Sequence, residues 1–196
     1  HDIQVIGHWT YNNSFVANSG EVVFVATSTG RVITTGSSAF YDLTFNGAGG
    51  AWSFTNPTLT VGNDFTISTG TVTLATATTT VTGSFLNSGG AFAHNNGVLF
   101  FNSSASESVT LLGTNFTNTV NDIVFGGTGS WVLTTANATT SNDFKITGGT
   151  VTLPSGTLTI GGSLLTTGGG FANNSGIVRF ISSSAESVSA NSSSFN

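Results

Sequence analysis

The side chains able to do acid–base or metal chemistry are few, and most recur at a fixed distance. Asp42 and Asp122, Asp64 and Asp143, and Glu107 and Glu186 are pairs 80, 79 and 79 residues apart. Two carboxylates that share a proton or a water must lie within roughly 10 Å, and partners separated by a whole repeat of a stacked chain lie further apart than that. They read instead as turn residues whose carboxylates cap local backbone N–H groups. Calcium at Asn63-Asp64 or Asn142-Asp143 is the competing reading, but the Gly-Gly-x-Gly-x-Asp pattern of calcium-binding β-rolls is absent. His1, His8 and His94 are the only imidazoles, and they do not correspond: His8 aligns with Ser84 and Ser163, and His94 with Asn173. A metal cluster of His1, His8 and Asp2 has no His-x-x-His or Cys-His spacing to support it. No Gly-x-Ser-x-Gly elbow accompanies a base and an acid. The runs 47–50 and 126–129 are glycine-rich, but neither Lys nor a helical pattern follows, so they read as tight turns and not as phosphate loops. The expectation is a chain that is not an enzyme and holds no cofactor or metal.

Composition narrows the partners. Only 11 of 196 residues are charged, or 6%, against about 25% in an ordinary domain. A net charge of -5 with three basic side chains cannot neutralise a run of phosphates, which excludes nucleic acid and polybasic attachment to a membrane. A hydrophobic fraction of 38% with 16 Phe is enough to build a core and argues against disorder. Mean hydropathy is +0.23, yet the longest apolar run is Val22 to Ala26, far short of the ~18 residues of a spanning helix. With no Cys there is no disulfide framework, and with no Met His1 is either a mature N-terminus left by signal cleavage or the start of an excised fragment. A secreted or cell-surface protein is expected. The six glycosylation sequons, at Asn12, Asn102, Asn115, Asn137, Asn173 and Asn191, add nothing: 19 Asn × 60 Ser and Thr / 196 residues gives about six by chance.

Self-comparison is more informative. Residues 62–74 read GNDFTISTGTVTL and residues 141–153 read SNDFKITGGTVTL, nine identities in 13 at an offset of 79. FNSSASESV (101–109) returns as FISSSAESV (180–188). Asn18-Ser19-Gly20, Asn95-Asn96-Gly97 and Asn174-Ser175-Gly176 each lead into an apolar strand ending at Phe24, Phe101 and Phe180. The chain therefore holds about two and a half copies, approximately 1–76, 77–155 and a partial 156–196. A shorter beat of 20 residues relates Leu59-Thr60-Val61-Gly62 to Thr79-Thr80-Val81-Thr82-Gly83, so one copy reads as about four turns. Within a turn Phe65, Ile67, Val72 and Leu74 take one face and Asp64, Thr66, Thr71 and Thr73 the other, the alternation of half-buried strands. Clusters such as Asn87-Ser88-Gly89-Gly90 and Gly168-Gly169-Gly170 read as turns needing positive φ.

Tandem immunoglobulin-like sandwiches of about 80 residues would match the long period. A sandwich cannot close with half its strands, however, and the third copy stops at Phe195, equivalent to Phe116. A solenoid can stop after any turn. The reading is therefore an all-β, right-handed parallel β-solenoid of about ten ~20-residue turns, continuous over 1–196, and on the order of 50 Å long. The scarcity of charge then has a cause. Each position recurs every ~4.8 Å along the stack, where charged ladders repel one another and Thr, Ser and Asn ladders hydrogen-bond. Lys145 and Arg179 both fall on the outward parity.

Other positions bear on binding. Thr58/Thr60 and Thr78/Thr80 are spaced to stack as an ice-ordering ladder, as is Thr139 with Thr159, but the next positions are Val98/Phe100 and Ile177/Arg179. Trp52 and Trp131 recur and read as core. Val98-Leu99-Phe100-Phe101 is apolar on both parities, so Val98 and Phe100 face outward, either beneath a long turn from Val81 to Val109 or against another molecule.

The units Phe-Tyr-Asp-Leu-Thr-Phe-Asn (40–46), Thr-Leu-Thr-Val-Gly-Asn-Asp-Phe (58–65), Gly-Ser-Phe-Leu-Asn (83–87) and Gly-Val-Leu-Phe-Phe (97–101) resemble the degenerate repeats of large secreted, adhesin-like surface proteins of bacteria and archaea. Filamentous-haemagglutinin-type and autotransporter β-helices belong to the same group. The resemblance covers nearly the whole chain and implies a structural shaft, and it transfers no functional residue. Such proteins usually begin with a capping element, whereas Ile3-Gln4-Val5-Ile6-Gly7 aligns with the internal turn from Thr79 to Gly83. Bare strand edges at both ends are then open for pairing, with Ile3 and Val5 at one end and Phe195 at the other as end-to-end contacts. The expected role is the shaft of a surface adhesin or the subunit of a head-to-tail filament. The partner is another copy of the chain or a longer parent chain. The alternative is a carbohydrate- or ice-binding module with a surface glycan as partner.

Overall fold

The computed structural model describes residues 2–111 and 119–195, so His1, Asn115 and Phe116 lie outside the described residues. The described chain is all β, with 22 strands and no helix. Every strand pairing is parallel, and strands meet neighbours one turn away. Partners are separated by 20 residues at Phe65↔Phe85 and by 24 at Phe85↔Val109. Nine strands follow one another along the longest sheet path. The chain is thus a β-solenoid of about nine turns, one fewer than the spacing predicts, because several turns are longer than 20 residues. At the ordinary strand spacing the stack is about 40 Å long.

Each turn has three sides. Around Thr58–Val61, for example, the chain runs on through the long strand Phe65–Thr73, whose two halves pair separately with Phe85–Asn87 and Ala91–Ala93. The interior is built from vertical apolar columns. One is Ile3, Val22, Leu43, Phe65, Phe85, Val109 and Leu133. A second is Leu59, Thr79, Leu99, Ile123, Phe144, Leu164 and Val188. The third side carries Trp52, Val72 and Phe92 low in the stack and Ala138, Leu158 and Val178 high in it. Outward positions carry the expected hydroxyl ladders, with Oγ–Oγ distances of 2.8 Å for Thr34/Thr55, 2.7 Å for Ser106/Ser130 and 2.6 Å for Thr110/Thr134.

The long repeat is not four turns. Phe65 lies in the twelve-stranded sheet and its counterpart Phe144 in the seven-stranded one, while Val98–Phe101 lies in the seven-stranded sheet and Ile177–Phe180 in the three-stranded one. Eleven sides separate Phe65 from Phe144, which is three and two-thirds turns. Each copy is therefore rotated by one side relative to the one before. All three sides present the same inward alternation to the same core, so the sequence fits any of them.

The turns before the recurring apolar strands are as expected. Asn18 and Ser19 (φ 48° and 57°), and Asn95 and Asn96 (51° and 58°), are left-handed, with Gly20 N–H donating to Ala17 O and Gly97 N–H to His94 O, both at 2.9 Å. This is the geometry of a type I′ turn. The clusters 87–90 and 168–170 differ: none of their residues has positive φ. Their glycines are needed because the backbone of the rung below passes too close for a Cβ, as at Gly89 under Ser68 O (2.7 Å). Gly47–Gly50 is not a tight turn either, since it lies within the strand Asp42–Phe54 at an irregularity in register between Phe45 and Ala51.

One inward position breaks the pattern. Thr79 stands between Leu59 and Leu99 with its Oγ1 buried and without a protein hydrogen-bond partner. Thr79→Val keeps the shape and removes the unsatisfied hydroxyl, so it is expected to raise stability by about 1 kcal/mol in urea unfolding.

Candidate functional site

The acidic residues assemble into two copies of one polar ladder. In the first, Asp42 Oδ1 accepts from Asn63 Nδ2 (2.8 Å) and from the backbone N–H of Asp64 (3.0 Å). Asp64 Oδ1 accepts from Ser84 N–H (2.8 Å). Ser84 Oγ donates to Glu107 Oε2 (2.8 Å), and Ser103 Oγ donates to Glu107 Oε1 (2.9 Å). The second repeats this bond for bond. Asn142 Nδ2 (2.8 Å) and Asp143 N–H (3.0 Å) donate to Asp122 Oδ1, and Ser163 N–H donates to Asp143 Oδ1 (2.8 Å). Ser163 Oγ (2.8 Å) and Ser182 Oγ (2.9 Å) donate to the two oxygens of Glu186. The carboxylates do cap backbone N–H groups, but not local ones. Both Asp64 and Ser84 belong to the turn above the residue that caps them, which a linear sequence places 20 to 22 residues away. The ladder staples rung to rung. Among the described residues no three of His, Cys, Asp and Glu converge as a metal site.

The copies differ at one place. Lys145 Nζ lies 2.8 Å from Asp143 Oδ2, where the first copy has Thr66. Partial burial pushes the Asp143 carboxyl up, but the Lys145 hydrogen bond, the Ser163 N–H and the Lys145 charge outweigh it and leave it below the ordinary value. Hydrogen bonding to Asp143 raises Lys145. A depressed carboxyl contributes stability above its unfolded pKa and loses it as pH falls through the folded value. A raised amine contributes below its unfolded pKa and loses it as pH rises through the folded one. Lys145→Thr is therefore expected to cost at most about 1 kcal/mol between these limits, with the difference from the parent vanishing in thermal melts at acid pH.

Val98 and Phe100 are half-buried on the outward face, above Thr78 and Thr80 and below Asp122 and Val124. Their cover comes from the next rung: the Phe100 ring lies over Gly126, where a Cβ would sit 2.5 Å from Cε2. There is no 28-residue turn from Val81 to Val109, because Val81 pairs with Phe101 and Val109 with Phe85. Thr58/Thr60 stack on Thr78/Thr80 in register and Thr139 on Thr159, but Val98/Phe100 and Ile177/Arg179 end these ladders after two rungs. Trp52 and Trp131 are buried in the core.

At the ends, Ile3 is exposed and Val5 is partly buried against the core, on a strand that pairs only with Glu21–Phe24. The end is less bare than its alignment with an internal turn implies. Trp9 and Phe15 fold against the first complete rungs, with Phe15 5.3 Å from Phe40 and Trp9 6.2 Å from Phe24. This aromatic group was visible only as a break in the strict alternation. At the other end Phe195 packs its ring 5.1 Å from Phe171, and Ser193 Oγ accepts from Phe171 N–H at 2.7 Å. Compared with family models, curated proteins and solved structures, the chain matches none.

Proposed function

We propose that this chain is an extracellular structural rod that works by axial continuation, as the shaft of a surface adhesin or as the subunit of a head-to-tail filament. The observation that carries this reading is where apolar surface is left. Of ten exposed large hydrophobic residues among those described, Ile3, Ile6, Tyr11 and Val16 lie at one end of the stack and Ile177, Phe180, Ile181, Val188 and Phe195 at the other. Only Val132 lies on the flank. Contiguous apolar patches mark contact surfaces, and here they coincide with unpaired strand edges, which are themselves templates for further pairing. The uncharged, hydroxyl-rich flank without Cys suits a secreted chain. Electron microscopy of the purified protein, with light scattering across a concentration series, tests the reading. Unbranched fibres one solenoid wide are expected, and a monodisperse monomer that binds glycan arrays would overturn it.

A further inference from the structure

The repeat supplies a template for what one end accepts. Three times the chain makes an apolar strand after a left-handed turn, at Glu21–Phe24, Val98–Phe101 and Ile177–Phe180. Above the first lies Asp42-Leu43-Thr44-Phe45, in register Val22↔Leu43 and Phe24↔Phe45. Above the second lies Asp122-Ile123-Val124-Phe125, in register Leu99↔Ile123 and Phe101↔Phe125. The phenylalanines stack nearly parallel in both, at 5.1 Å and 13° for Phe24/Phe45 and 5.0 Å and 15° for Phe101/Phe125. The third strand pairs only downward, with Thr157–Ile160, among the described residues. Phe180 is 40% exposed where Phe24 and Phe101 are both 0%. A recess lined by Asn173, Gly176, Ile177, Val178, Phe180 and Phe195 opens over it.

We infer that the edge Ile177–Phe180 is an acceptor for one further parallel strand of the pattern Asp-(Leu/Ile)-x-Phe, presented by a partner polypeptide. Its phenylalanine stacks on Phe180, its aliphatic residue covers Val178, and main-chain hydrogen bonds along the free edge supply affinity, as in other strand-addition sites. Charge supports the choice. In the filled sites the aspartate is satisfied from the rung above, by Asn63 and the Asp64 N–H on Asp42 and by Asn142 and the Asp143 N–H on Asp122. An added terminal strand has no rung above it. Only the third acceptor carries a cation, Arg179, where the others have Val23 and Phe100. In the template register the incoming aspartate stands opposite Ile177, diagonal to Arg179 and within reach of a long side chain. A folded second copy offers only Ile3-Gln4-Val5, which has neither the aspartate nor the phenylalanine.

This inference rests on the axial reading above, and its test is separable from it. A fluorescent peptide with the sequence of residues 40–47 is titrated against the purified chain, with hydrogen exchange read in parallel. Saturable binding and new protection at Ile177–Phe180 are expected. Phe45→Ser in the peptide or Phe180→Ser in the protein weakens binding by roughly tenfold or more. Arg179→Glu weakens it as well, and an Asp42→Lys peptide restores it. No binding, equal binding of a scrambled peptide, or protection at Ile3–Val5 instead overturns the inference. Fibres without peptide binding would overturn it while leaving the axial reading intact, whereas absence of both would remove the two together.

Discussion

Trp131→Ala is expected to lower unfolding stability by about 3–5 kcal/mol, the upper range for a truncated core aromatic. Trp131 is fully buried, 5.3 Å from the Phe125 ring, in a column that continues through Val151 and Phe171. A cavity is costly when its walls cannot collapse, and here they are strands fixed by hydrogen bonds to rungs above and below. The indole Nε1 has no protein acceptor. Trp131→Phe therefore deletes an unsatisfied donor along with part of the ring, and it is expected to cost about 1–2 kcal/mol. Trp52→Ala supplies the stricter check. Trp52 stands on another side of the prism but in the same surroundings, 5.2 Å and 57° from Phe45 where Trp131 is 5.3 Å and 53° from Phe125. Equal losses in urea unfolding are expected if the sides are interchangeable. Because stacked repeats contact only their neighbours, hydrogen exchange should show the loss greatest in rungs adjoining each lesion.

That interchangeability explains what was legible in the sequence and what was not. Alternation at Phe65, Ile67, Val72 and Leu74 announces strands and their facing, and all four are buried. The Asn-Ser-Gly and Asn-Asn-Gly steps announce turns because only left-handed residues close them. The one-third rotation between copies leaves no mark, since a residue suited to one inward column suits the other two. For the same reason Asp42 and Asp64 reveal their residue type and not their reach: a neighbour in the stack is 20 residues distant in sequence. Phe100 looks like exposed apolar surface until Gly126 is found beneath its ring. Each of these depends on contacts between turns, which the order of residues within a turn does not encode.

Glycine at the tryptophans gives the second large effect. Gly70→Ala is expected to destabilise by about 2–4 kcal/mol, from two sources that can be separated. Gly70 has φ +86°, where an added side chain costs about 1 kcal/mol or more. Its Cβ would also meet Trp52 Cζ3 at 2.5 Å, Gly47 O at 2.8 Å and Gly50 O at 2.9 Å. Neither backbone oxygen can move without breaking the register above it, so overpacking adds roughly 1–3 kcal/mol. Gly30 isolates the first source: its φ is +77°, but nothing lies within 4 Å of a Cβ there. Gly30→Ala is therefore expected to cost only the conformational strain. Gly149, with φ +63°, sits under Trp131 as Gly70 sits under Trp52, and a Cβ would lie 2.8 Å from Trp131 Cζ3. Gly149→Ala should thus match Gly70→Ala, and the double variant Gly70→Ala/Trp52→Phe should recover part of the loss by withdrawing the ring atom in the way. If Gly70→Ala and Gly30→Ala fall equally in thermal and urea unfolding, close approach contributes nothing and the tryptophan columns are less tightly packed than the ring distances require.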